Sequence, residues 1–324
     1  MKKIITLMLL LIICALLTAC GGKKEKVVIY TSAADYRIAH MSEALTKQFP
    51  NYDFVIEYLS TSKHAAKLMA EGTETECDII HDLAYLSLAD LDRKGILADL
   101  SNFSTVNYTD DAVVSPNYLV ELRTGGAVIV NKDFLNKKGL EIPTTYDDLL
   151  KPEYKGLISM PDPKSSGTGY MFLKSLVNAW GEEKAFDYFK HLSKNILQFT
   201  ASGVAPVNAL AQNEVGVAFG MTVSGVLKIN DGIPLQILHF KEGSPYSMYG
   251  QSIVKGKEKR ECVQKVFDYM INVYNQESCR LYAPEKIYKD KDFKVKNFPA
   301  NIKYADMSND TLAEKKRLLD KWKY

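Results

Sequence analysis

The chain has 324 residues, 46% of them hydrophobic, 25% charged and 10% aromatic, a composition that excludes a disordered polymer and can bury a large core. At roughly 150 residues per domain this length predicts two domains. A formal charge of +2 lacks the basic excess of a nucleic-acid-binding protein, so no nucleic-acid partner is expected.

Residues 1–19 differ from everything after them. Lys2 and Lys3 precede an apolar run from Ile4 to Leu17, and Leu17-Thr18-Ala19-Cys20 closes it. The run is shorter than the ~20 residues of a stable spanning helix, and small Ala19 before Cys20 suits a signal peptidase. The segment resembles a bacterial lipoprotein signal peptide with its lipobox, the alternative being an uncleaved anchor. Cleavage before Cys20 takes Lys2, Lys3 and no acid, leaving 39 basic against 39 acidic residues. With no polybasic surface, attachment to the outer face of the cytoplasmic membrane is expected through acyl chains on Cys20. Residues 20–26 read as a solvated tether.

Residues 26–30 form a β-branched and aromatic run that predicts a strand, and Thr31, Ser32 and Asp35 lie in the polar turn behind it. Ile38, Met41, Leu45 and Phe49 then recur at helical spacing until Pro50-Asn51. A second strand at 53–59, the turn Ser60-Thr61-Ser62, a helix at 64–71 and a strand at 77–80 follow. This alternation predicts βαβ units and a mostly parallel sheet. After a less regular middle, strands are predicted at 127–131, 157–160, 215–219 and 235–240. From Cys262 onward Val263, Val266, Phe267, Met270, Ile271 and Tyr274 form one core-facing helical stripe. Residues 311–322 repeat the amphipathic pattern and are expected to pack on the surface of a lobe.

No repeat, low-complexity tract or long linker divides the chain, so two closely joined domains are expected, with crossings near 122–127 and 246–252. Of the mature cysteines, Cys77, Cys262 and Cys279 are too few for a disulfide framework. An unbroken helix would hold Cys262 and Cys279 about 25 Å apart, against ~5.5 Å for a bridge. Buried or semi-buried thiols are expected, and a bridge would need a chain reversal near 275–278.

Residues 160–169 join a strand to a helix and carry Ser165, Ser166, Gly167, Thr168 and Gly169. Glycines admit close approach of a ligand to the backbone, and hydroxyls add donors where free N–H groups of a helix start already favour an anion. The same pattern fits a helix that is merely capped. The Gly-Lys-Ser/Thr ending of a P-loop and a Gly-x-Ser-x-Gly nucleophile elbow are both missing. Thr200, Ser202, Gly203 and Pro206 form a second such loop. With Thr31-Ser32 and Ser60-Thr61 there are four hydroxyl-rich strand-to-helix turns, two in each half of the chain. Ligands of open α/β sheets gather at the carboxyl ends of strands. The five histidines show no metal-ligand spacing and no Cys-x-x-Cys occurs, so no metal, cofactor or catalytic residue is assigned.

Further matching residues are Val28-Ile29-Tyr30-Thr31, residues 66–71, residues 151–156, Pro161 to Gly169, and Asn195-Ile196 through Gln198, Thr200, Ser202-Gly203 and Pro206. Together these resemble an extracellular solute-binding protein of a bacterial ABC transporter, in the branch of ferric-iron, sugar-phosphate and 2-aminoethylphosphonate binders. The resemblance implies an α/β, two-lobed periplasmic-binding-protein fold of type II with a hinge-closing cleft. It also implies permease and ATPase partners and no covalent chemistry. Lobe 1 is expected at 27–124 plus about 250–324, and lobe 2 at 125–249. Ferric binders carry adjacent tyrosines after the strand at 215–219; Gly220-Met221-Thr222-Val223-Ser224 stands there, so the usual iron mode is disfavoured. Phosphonate-type members carry acids around the first loop and after that strand; Asp35 is kept, while Ala34 and Gly220 replace two of them.

The expected ligand is a small phosphonate or phosphorylated metabolite, bound by a monomer. The expected contacts are Thr31, Ser32, Asp35, Ser60, Thr61, Ser165, Ser166, Gly167, Thr168, Thr200, Ser202, Gly203, Thr222 and Tyr246. Tyr246 and Tyr249 fit equally a cleft wall and a crossing strand. An iron(III) or metal-complex receptor using Tyr246, Tyr249, His81 or Asp82 is the alternative. A surface lipoprotein hydrolase is a further one, for which no nucleophile and base fall together.

Overall fold

The computed structural model describes residues 24–284, 287–289 and 291–324. The signal peptide expected at 1–19, the Cys20 expected to carry lipid and the tether as far as residue 23 lie outside the described residues. The tether ends earlier than expected, because Glu25 and Lys26 already pair with Tyr52 and Asp53.

Strand β1 (Glu25–Thr31) runs parallel to β2 (Tyr52–Tyr58) and β3 (Ile79–Ala84). Its apolar run is continuous because both faces are covered. Val27 and Ile29 enter one core with Met41 and Leu45, while Val28 and Tyr30 enter another with Leu68 and Leu88. Helices α1 (Asp35–Gln48), α2 (Thr61–Glu71) and α3 (Tyr85–Arg93) follow the three strands. The predicted stripe of α1 buries Met41 and Leu45 completely.

Strand β4 (Leu119–Asn131) is far longer than the predicted 127–131, because it serves two sheets. Residues from Leu119 to Gly125 pair with β9 (Tyr246–Ile253), and those from Gly126 onward with β7 (Val217–Met221) and β8 (Leu235–Leu238). Between them lie helices α4 (Lys132–Lys137), α5 (Gly167–Trp180), α6 (Glu182–Leu192) and α7 (Ala205–Ala211), and strands β5 (Ile158–Pro161) and β6 (Ile196–Thr200). The strand order is β2-β1-β3-β9-β4-β7-β5-β6, with β8 added on β4. The pairing is mixed and not mostly parallel. Each antiparallel ladder among the described residues contains β4 or β9, the two strands that run in opposite senses between the halves.

The second half has its own cores, one around Val128, Phe172, Phe189 and Phe219 and one around Ala127, Ile129 and Val207. Helix α8 (Thr222–Asn230) leaves β7, and α9 (Glu261–Tyr269), a π turn over Met270–Tyr274 and α10 (Asn275–Tyr282) run on without reversal. Cys262 and Cys279 therefore stay apart, and with Cys77 they are free, buried thiols. The chain then crosses a third time, where the Ser244 N–H donates to the Lys303 carbonyl and the Ala305 N–H to the Ser244 carbonyl. Helix α11 (Leu312–Lys321) follows, and Leu318 and Trp322 lie in the second half's core, Trp322 at 5.2 Å from Phe189. The expected grouping of all residues after about 250 with the first lobe fails here. Leu318 and Trp322, four apart on one face, find their apolar partners in the other half.

Candidate ligand-binding site

A cavity of about 220 Å³ lies where the two halves meet, lined by the turns that leave β1, β2, β3, β5, β6 and β7 at their carboxyl ends. Each parallel strand points its C-terminus at this space, which is where open α/β sheets place ligands. The first half contributes Ser32 to Asp35, Tyr58, Ser60, Thr61 and Asp82, and the second Ser166 to Thr168, Ala201 to Ala205, Asn208 and Met221. Thr124 and Tyr249, from the crossing strands, close the floor. The halves touch at the rim, where Ser62 Oγ donates to the Lys164 carbonyl at 2.8 Å.

Of the fourteen residues expected to contact a ligand, Ser32, Asp35, Ser60, Thr61, Ser166, Gly167, Thr168, Ser202 and Gly203 line this cavity. The other five do not. Thr31 is fully buried with its hydroxyl 2.9 Å from His81 Nδ1 and accepting from the Ala33 N–H at 3.1 Å, so it is engaged inside the wall. Ser165 and Thr200 turn back on their own loops, donating to the carbonyls of Asp162 and Ser202. Thr222 lies behind Met221 in a small separate crevice with Tyr36 and Tyr282. Tyr246 faces away, its ring 4.9 Å from the Arg123 guanidinium and 5.1 Å from the Tyr304 ring.

Tyr249 is the lining residue that sequence reasoning left undecided. Positions 246 and 249 differ by an odd number, so on one strand only one of the pair can face the cavity. The Tyr249 hydroxyl reaches across to Gly167, where a Cβ would overlap it and come within 3.4 Å of Thr61 Oγ1. Gly203 is similarly tight against Thr168. Both glycines are required by close approach and not by a turn.

Three helices of two turns or more start at the cavity: α1 at Asp35, α2 at Thr61 and α5 at Gly167. Ser166 caps α5, its Oγ accepting from the Gly169 N–H at 3.5 Å. The starts of α1 and α2 carry no side-chain cap. Ser60 Oγ is buried without a protein partner, an arrangement that costs free energy unless a guest supplies the missing bond. Each helix start carries about half a positive charge, and Asp35 in the first turn of α1 offsets the share of its own helix.

The charged residues lining the cavity are Asp35 and Asp82; no lysine or arginine is among the lining residues. Asp82 is 6% exposed, has φ 53°, and is paired from behind with Arg37 at 3.0 Å. Arg37 Nη2 also lies 3.0 Å from Glu121 Oε1, and His81 Nε2 lies 3.4 Å from the same oxygen. Burial pushes the Glu121 carboxyl up to about 8. Burial, reinforced by Arg37, holds His81 well below the usual imidazole range. His64, whose Nδ1 is 2.9 Å from Ser32 Oγ, is likewise pushed down to about 3 by burial. Of the residues considered for iron, Asp82 and Tyr249 reach the cavity while His81 and Tyr246 do not, and the four form no donor set.

The bacterial extracellular solute-binding protein family matches residues 87–315. The chain belongs to that family. This solute-binding protein is 29% identical to an uncharacterized protein of Haemophilus influenzae over 265 residues, covering 78% of this chain and 74% of the relative. Among solved structures it is similar to the periplasmic binding protein AfuA from Actinobacillus pleuropneumoniae, with exogenous fructose-6-phosphate bound. That likeness has 27% identity and a TM-score of 0.78, and covers 93% of this chain and 98% of that one. The periplasmic binding protein P5PA aligns with a TM-score of 0.80 at 24% identity, over 92% and 98% of the two chains. The fold is that of type II periplasmic binding proteins.

Proposed function

We propose that this solute-binding protein captures a small phosphonate or phosphorylated metabolite outside the cytoplasm and delivers it to the permease and ATPase of an ABC importer. In this reading lipid on Cys20 holds it, as a monomer, at the outer face of the membrane. The observation that carries the ligand class is the convergence of three helix starts and the hydroxyls of Ser32, Ser60, Thr61, Ser166, Thr168 and Ser202 on one cavity. Tetrahedral oxyanions need several short donors at once, and helix starts with hydroxyls supply them without a formal cation. The bound fructose-6-phosphate of AfuA supports the same class. A cavity of about 220 Å³ suits a headgroup with a short carbon chain.

The two halves, 27–124 with 250 to about 300 and 125–249 with the final helix, would rotate about the crossing strands, and the Ser62–Lys164 contact would break on opening. Calorimetric titration of the mature chain with inorganic phosphate, 2-aminoethylphosphonate and fructose 6-phosphate tests this. Saturable heat with at least one, and compaction on binding in solution scattering, is expected. Heat with ferric citrate and a visible charge-transfer band, and none with phosphoryl compounds, would overturn it.

A further inference from the structure

The cavity that admits an anion in this reading contains a buried carboxylate, Asp82, and that conflict requires an answer in the surrounding structure. Arg37 stands in the first turn of α1, 5% exposed and outside the cavity lining. Its guanidinium is held on three sides, by Asp82 at 3.0 Å, by Glu121 at 3.0 Å, and by a hydrogen bond donated from Nε to Ser278 Oγ at 3.4 Å. The Tyr274 hydroxyl donates to the Arg37 carbonyl at 3.3 Å, fixing the backbone there. Asp82 occupies the break in register between β3 and β9, in the left-handed backbone region that disfavours a side chain. The fold thus holds this carboxylate on Arg37 against a backbone cost.

We propose that Arg37 fixes the charge class of the solute without touching it: by pairing with Asp82 from behind the wall, it cancels the buried carboxylate, so that the cavity admits an anion and does not attract a cation. It is a positioning residue that acts through Asp82. Glu121 is the other acid on Arg37; its complete burial raises its pKa and favours the neutral form, which leaves the positive charge to Asp82. Asp35 stays exposed at the rim, where water screens it. The assignment rests on the cavity being the solute site.

The test is calorimetry on the mature chain at pH 7 with two probes, inorganic phosphate and the diamine putrescine. The native chain is expected to take phosphate and to give no heat with putrescine. Arg37→Gln uncovers Asp82: phosphate weakens by about tenfold or more, ~1.4 kcal/mol, and putrescine gains a saturable signal. Adding Asp82→Asn to that variant restores phosphate to within about threefold and abolishes the putrescine signal, while Arg37→Lys keeps the native preference. If Arg37 were merely structural, the double variant would bind phosphate no better than the single one. That result, or an unchanged preference in Arg37→Gln, overturns the proposal.

If Arg37→Gln fails to fold, Asp82→Asn combined with Glu121→Gln decides. It removes both acids from Arg37, leaves its charge uncancelled and must tighten phosphate by about tenfold, and an unchanged or weaker affinity overturns the assignment. Absence of heat with any phosphoryl compound in the native chain would refute the proposed ligand class, whereas the putrescine arm would still decide the role of Arg37.

Discussion

Ser60 is a polar group kept at a cost, since its hydroxyl is buried at the cavity wall with no protein partner. Ser60→Ala removes an orphan donor from the empty protein, so the melting temperature should stay level or rise. A hydrogen bond to a charged guest is worth about 1.5–3 kcal/mol, so phosphate affinity should fall by roughly tenfold or more. Calorimetry and a thermal scan on the same variant check both halves of this expectation. Gly167 gives a second residue-level outcome. In Gly167→Ala the new methyl overlaps the Tyr249 hydroxyl, and solute binding should be lost while the fold survives, because the clash is with a neighbouring element and not within α5. Tyr249→Phe added to Gly167→Ala removes the clashing oxygen and should recover part of the affinity.

Among the elements, α11 shows how position in the chain misleads. Thr311 caps it, accepting from the Glu314 N–H at 3.2 Å, a Thr-x-x-Glu start that could be read directly from the sequence. Thr311→Ala should cost about 1 kcal/mol. Trp322 is 1% exposed against Phe189 and Phe199, and Trp322→Ala should cost ~3–5 kcal/mol, measured by urea unfolding.

The αβ rhythm of the first hundred residues, the stripe of α1 and the hydroxyl turns at 32, 60–61, 166–168 and 202 were legible because local periodicity and turn chemistry encode them. What resisted reading depends on long-range partners. The first part of β4 carries Glu121, Arg123 and Thr124, which break an apolar strand pattern and make sense only beside α1, Tyr304 and the cavity. Thr31, Ser165, Thr200 and Thr222 have the right chemistry and the wrong direction, which residue type does not specify. Arg37 carried no motif at all; its role comes from Asp82 and Glu121, far along the chain.

For the whole molecule, the buried ionisable groups set a pH optimum. His64 and His81 are held neutral in the fold and return to an ordinary value of 6.5 on unfolding. The unfolded chain thus takes up protons that the fold refuses, and stability is lost as the pH falls below 6.5 toward 3. Glu121 acts in the opposite sense. Its proton is held to about 8 in the fold but leaves near 4.5 in the unfolded chain, so its penalty grows as the pH rises from 4.5 through 8. Arg37, Asp82, His81, Tyr108, Tyr274 and Tyr288 surround it, and among them only His81 has its ordinary titration inside that window. Between 4.5 and 6.5 two histidines outweigh one glutamate, and above 6.5 the glutamate acts alone. The melting temperature should therefore peak near pH 6.5, and Glu121→Gln should flatten the alkaline side while leaving the acid side steep.

The three shielded sulfurs are unevenly distributed: Cys77, Cys262 and Cys279 all belong to the cores around β1, and none to the cores around Phe219 or Val207. A maleimide or Ellman reagent added to the folded protein would find nothing to modify at these positions. The speed at which such a reagent begins to react is then a clock for the loosening of one half of the molecule alone. Set beside a tryptophan signal from Trp180 and Trp322, both in the other half, it would time the two halves separately during denaturation.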